Sequence, residues 1–177
     1  MSVILSIALT AVVGLLWGSE FEWRLHRYMH QAHPRVAFLF VGHVNHHRLF
    51  AGKDSYRLHE DDQRRVRMIG AMIWNGIVLV AVVMLPFAAA ALTASHFCWD
   101  SEAIAITATG LALSVVFYCA TEYVHWCAHA PETKLPKGEW FRWLNKHHEL
   151  HHRSPLHGNY NVVVPLADWW HDTLIRV

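Results

Sequence analysis

Polar and apolar positions are sharply segregated along this chain. No charged residue occurs from Ser2 to Gly18, from Met68 to Leu92, or from Ala103 to Thr121. A helix needs about 20 apolar residues to cross the hydrocarbon core of a bilayer. The pattern therefore predicts three membrane-spanning helices, over about residues 2–21, 68–92 and 103–122, with Glu20 the one acid inside the first. A buried hairpin core in a soluble helical protein is the competing reading. Three such runs in 177 residues would leave too little polar surface to cover them. The first run has no basic start and no small-residue cleavage site after it, so it reads as a retained anchor helix and not as a secretory leader. The segment "GSEFEWRLHRYMH" carries its helical pattern onward. The expected fold class is all-α: an integral membrane helical protein, one domain over 1–177.

Composition agrees, with 54% hydrophobic and only 16% charged residues, against roughly 25% charged in soluble domains. The distribution of charge sets an orientation. All 15 Lys and Arg lie within 24–67, 134–153 or at Arg176, which three spans place on one side. The opposite loop, "TASHFCWDSE", has two acids and no base. By the positive-inside rule the amino terminus is outside and the basic segments are cytoplasmic, at an inner membrane if the source is bacterial. A net charge of +1, with no basic stripe interleaved with aromatics, points to no nucleic-acid partner. Cys98, Cys119 and Cys127 form no C-x-x-C pair and are assigned to packing.

Histidine changes the picture. The chain has 16, and the cytoplasmic segments carry one two-part pattern twice. "HRYMH" supplies His26 and His30, and "HVNHH" supplies His43, His46 and His47. "HWCAH" then supplies His125 and His129, and "HHELHH" supplies His148, His151 and His152. Residues at i and i+4 share a helix face, so each H-x-x-x-H aims two imidazoles one way. In H-x-x-H-H the three rings fall within an arc of about 100°. The expectation is five converging imidazoles per half, enough for two metals with four or five ligands each. His26 and His125 lie just past a span, so the metals belong in a cytoplasmic cap against the bilayer surface.

With these motifs the chain resembles the fatty acid hydroxylase and sterol desaturase superfamily of integral-membrane di-metal oxygenases. The resemblance runs from about Glu20 to Thr173. It also takes in the tail "NYNVVVPLADWWHDTL", where Asn159, Tyr160, Asp168 and Thr173 match the family pattern in register. Asn161 and Asp172 stand where the family usually has glycine, which puts the local turns in question. The resemblance implies an oxidoreductase that uses two irons and O2 to hydroxylate or desaturate a membrane lipid, with the ten histidines as ligands. A fatty-acyl lipid is the favoured substrate, in lipid biosynthesis; a carotenoid or sterol is the alternative. No flavin, haem or iron–sulfur signature is present, so a separate ferredoxin- or cytochrome-type electron donor is implied.

Other residues have lesser claims. Glu122 precedes His125 by three, the E-x-x-H spacing of carboxylate-bridged di-iron bundles, and could support a ligand ring or bridge metals. Glu22, four before His26, has a similar claim. Asp168 is expected to anchor the tail to a histidine or arginine, and Asn159 is a further candidate support. His33 and His157 are weaker site candidates, and His59, His96 and His171 read as surface or interfacial. Trp140, Trp143, Trp169 and Trp170 read as interfacial lipid anchors. "DDQRRVR" (61–67) could dock a redox partner or anionic headgroups, though the positive-inside rule accounts for it. Aligned on "GHVNHH", His147 falls opposite Gly42, so it is expected outside the ligand set, supporting it from behind or facing solvent. Two readings of another class remain. A metal transporter would need polar ligands near the midplane of the spans, where only Asn75 offers itself. A zinc-bound protein that is no oxygenase would use the same imidazoles.

Overall fold

The computed structural model describes residues 2–31, 37–51, 56–57, 64–130 and 138–176, with side chains described for all of these but 37–42, 64–76 and 78. His33, His59 and the acids of "DDQRRVR" lie outside the described residues, as does the side chain of Asn75. Among the described residues six helices follow one another: α1 (Val3–Met29), α2 (Ala37–Leu49), α3 (Arg64–His96), α4 (Asp100–His129), α5 (Glu139–Arg153) and α6 (Leu166–Trp170). No strand occurs among the described residues.

Among the described residues three helices are long and apolar enough to cross a membrane: α1, the Leu79–His96 part of α3, and α4. Of the expected spans, 103–122 lies within α4, 2–21 overlaps α1 from Val3 onward, and 68–92 overlaps the apolar stretch of α3 from Leu79 onward. α1 and α4 continue without a break to Met29 and His129, so α4 ends on its H-x-x-x-H motif while α1 carries His26 and ends one residue before His30. Large apolar side chains point outward from them, including Ile4, Leu85, Leu92, Ile104 and Val116. A soluble protein would cover such surface, whereas lipid solvates it.

The chain divides into two compact units. The first comprises residues up to Gly18 and Ile69–Ala120. There Phe87 is buried against Gly110, where an added Cβ would come within 2.6 Å of the Phe87 ring. Small residues allow this close approach of helices where apolar burial cannot drive association. The Ser114 hydroxyl donates to the Gly110 carbonyl at 2.8 Å within its own helix, so its polarity is satisfied. Cys98 takes a left-handed conformation (φ 58°) in the turn between α3 and α4. Cys98 and Cys119 are exposed, so of the three free thiols only Cys127 is buried in packing as expected.

The second unit comprises Ser19–Met68 and Thr121–Val177 and holds all ten candidate ligands. α5 turns Leu144, His147, His148, His151 and His152 inward on one side, while Trp140 and Arg153 face out. Leu144 packs with Val124 and Val162, flanked by Phe141, Trp143 and Val163. Trp23, Tyr160 and Ala167 form a second small core.

Candidate metal centre

The ten histidines meet in two groups of five. His26, His30, His43, His47 and His151 form one, and His46, His125, His129, His148 and His152 the other; within each, one nitrogen per ring lies within 4.8 Å of all the others. The halves of the sequence repeat do not make one group apiece, as the spacing suggested. His46 and His151 have exchanged places. On a helix His46 lies about 60° to one side of His43 and His47 about 40° to the other. The 43/47 pair therefore faces one centre while His46 turns to its neighbour. The same spacing sends 148/152 one way and His151 the other. The groups adjoin through the His47 and His152 rings, stacked with centroids 4.2 Å apart.

The nitrogen positions are informative. In the first group four Nε2 atoms close a ring: His30 to His43 2.9 Å, His43 to His47 3.1 Å, His47 to His151 3.2 Å, and His151 to His30 3.1 Å. In the second they form a chain: His125 to His46 3.0 Å, His46 to His152 3.2 Å, His152 to His148 3.1 Å, and His148 to His129 3.2 Å. Two imidazole nitrogens at right angles about a metal, each about 2.1 Å from it, lie roughly 3.0 Å apart; a tetrahedral angle sets them roughly 3.4 Å apart. Most of the spacings lie nearer the right-angle value than the tetrahedral one.

Hydrogen bonds on the outer side fix the proton of three of these rings. Three rings donate Nδ1–H to a backbone carbonyl: His26 to Tyr160, His129 to Tyr56 at 2.8 Å, and His151 to Gly158 at 2.9 Å. A carbonyl only accepts, so each of these rings carries its proton on Nδ1 and presents a bare Nε2 to the centre. The His26 Nε2 is buried with no hydrogen-bond partner among the described residues. Burial pushes His30 down to about 4 and His47 to about 2, below the usual 6.5 of imidazole. Burial first, and then crowding by neighbouring imidazoles, lowers His43, His46, His148, His151 and His152 as well. Neutral imidazole is the metal-binding form. His26 and His151 in the first group and His129 in the second thus present bare lone pairs among other buried imidazoles, so both groups are suited to hold a metal ion.

The remaining candidates fall around these groups. Glu122 is half-buried and belongs to neither. Among the described residues the Glu22 carboxylate accepts from Thr121 at 3.2 Å and Asn161 at 3.0 Å, not from a histidine ring. Asp168, fully buried, accepts from the Tyr160 and Asn161 amides at 2.9 and 2.7 Å and from the Thr173 hydroxyl at 2.7 Å. It anchors the tail chiefly to itself, with His147 Nε2 3.4 Å away. Asn159 donates to the His147 carbonyl at 3.1 Å and accepts from the Ile175 amide at 2.7 Å.

His147 belongs to neither group, in keeping with its register opposite Gly42. It does not face solvent: it is fully buried, with Nε2–H donating to the Asn161 carbonyl at 3.0 Å and its ring stacked on Trp143. His157 is exposed and in neither group. His171 is no bare surface residue, since it stacks on Trp23 at 3.9 Å and bonds Glu20 at 2.9 Å. The two positions of expected glycine resolve differently. Asp172 adopts the left-handed conformation (φ 54°) that glycine would supply, whereas Asn161 does not. Asn161 uses its side chain instead, donating to the Ser19 carbonyl at 2.8 Å and accepting from the Asp168 amide at 3.0 Å.

The partners that sequence did not reveal are the carbonyls of Tyr56, Gly158 and Tyr160, together with Ser19. Backbone carbonyls have no side-chain identity to read, and Ser19 looks like any small residue at the end of an apolar run. No protein-family model, curated protein or solved structure matches this chain.

Proposed function

We propose that this chain is an integral-membrane di-metal oxygenase of the fatty acid hydroxylase and sterol desaturase type, acting on a membrane lipid, with a fatty-acyl lipid the favoured substrate. The observation that carries the reading is the ring of four Nε2 atoms with edges of 2.9–3.2 Å, beside a second group of five imidazoles. His26, His30, His43, His47 and His151 would hold one iron, and His46, His125, His129, His148 and His152 the other. Iron, when bound, supplies the redox chemistry with O2 that no side chain can. The protein supplies neutral donors fixed in orientation, a site from which bulk water is largely excluded, and spanning helices through whose neighbourhood a lipid chain can arrive. Electrons come from a separate ferredoxin- or cytochrome-type protein. The positive-inside rule puts the centre on the cytoplasmic side.

Right-angle spacing favours five- or six-coordinate ions over a closed tetrahedral zinc site. A transporter is disfavoured because the imidazoles gather where α1 and α4 end, not midway along them. The test is lipid profiling of cells that express the chain with a competent electron donor, beside its His148→Ala variant. A lipid that gains the mass of one oxygen atom, or loses two hydrogens, only with the unaltered chain is the expected result. Folded, iron-loaded protein that changes no lipid would overturn the proposal.

A further inference from the structure

The chain after α5, residues 154–176, forms a strap whose carbonyls reach only one of the two histidine groups among the described residues. Gly158 accepts from His151 and Tyr160 accepts from His26, both in the first group. The corresponding bond in the second group, from His129, goes to Tyr56 instead. The strap is held in shape by Asp168, which gathers the Tyr160 and Asn161 amides and the Thr173 hydroxyl. It is fastened to α5 at His147, which donates to the Asn161 carbonyl and lies 3.4 Å from Asp168. It is fastened to α1 where Asn161 donates to the Ser19 carbonyl and Glu22, one turn before His26. The buried clasp thus joins the two helices that supply His26 and His151.

Given that both groups bind metal, as the proposed function requires, we infer that Asp168 and His147 are positioning residues for the first metal position alone. They act through the Tyr160 and Gly158 carbonyls, which fix the proton on Nδ1 and aim Nε2. The second position fills without them. A bond of this kind behind a ligand typically changes metal affinity by about 10–100-fold. The two positions therefore load unequally, and the strap decides when the first is complete.

The test counts iron per chain in purified full-length protein, equilibrated anaerobically with ferrous iron at a chelator-buffered concentration. The unaltered chain should hold two irons, Asp168→Asn one, His148→Ala one, and the double variant none, because the single changes empty different positions. A double variant that keeps one iron, or an Asp168→Asn protein that keeps two or loses both while monodisperse and helical, would overturn the inference. An unaltered chain that binds no iron would instead overturn the metal-centre reading beneath it. Should Asp168→Asn fail to purify, His147→Gln and His147→Leu decide the matter. Glutamine keeps an N–H for the Asn161 carbonyl and should hold two irons, while leucine fills the space without a donor and should hold one. Equal iron in the two His147 variants counts against the inference.

Discussion

At the scale of single residues, three of the ten candidate ligands are defined by the nitrogen that faces away from the centre. His26, His129 and His151 are locked by carbonyls, so their metal-facing nitrogens have no proton to lose before they bind. Without metal, the same burial makes the protein sensitive to acid. The unfolded chain takes up protons on His30 and His47 near pH 6.5, while the folded chain refuses them until about 4 and about 2. Below 6.5 the unfolded state therefore binds more protons, and stability falls as pH drops through that window. Above 6.5 these residues contribute no pH dependence. Thermal denaturation of metal-stripped protein should show a melting temperature that declines steadily from about pH 6.5 to about pH 5 and is level from about pH 7 to about pH 8. A flat profile throughout would mean that the imidazoles are solvated when empty.

At the scale of elements, the strap and α1 depend on Ser19. Its hydroxyl donates to the Val164 carbonyl at 2.6 Å and accepts from the Ala167 amide at 3.0 Å, and the residue is fully buried. Ser19→Ala would leave two buried backbone groups without partners, at about 1–3 kcal/mol each. The expected result is a melting temperature lowered by several degrees with helix content unchanged, read by circular dichroism in detergent. No shift would mean that water reaches these groups. Elements differ in how much of them could be read in advance. The three spans were legible because charge is absent from them, and the histidine helices because H-x-x-x-H and H-x-x-H-H recur. The exchange of His46 and His151 was not legible. A helical wheel gives the direction of each ring but not which neighbour waits there. His147 was placed outside the ligand set by its register, yet its burial depends on Asn161 and Asp168, whose approach follows from the path of the strap. Asn161 looked like a departure from a glycine pattern, and it became a structural link only once Ser19 and Glu22 were seen beside it.

At the scale of the molecule, the proposed function assigns anchoring to the apolar helices and chemistry to the histidine-lined unit. The helices α1 and α4 take part in both, since each begins as an apolar span and ends in histidine ligand candidates. The central claim is that ten imidazoles hold two ions at right-angle positions, five to each. X-ray absorption at the metal edge, on protein purified without added metal, tests this most directly. The account predicts two ions per chain, each with about five nitrogen neighbours at about 2.1 Å and strong imidazole multiple scattering. A metal-free protein, or a tetrahedral site with four neighbours, would contradict it.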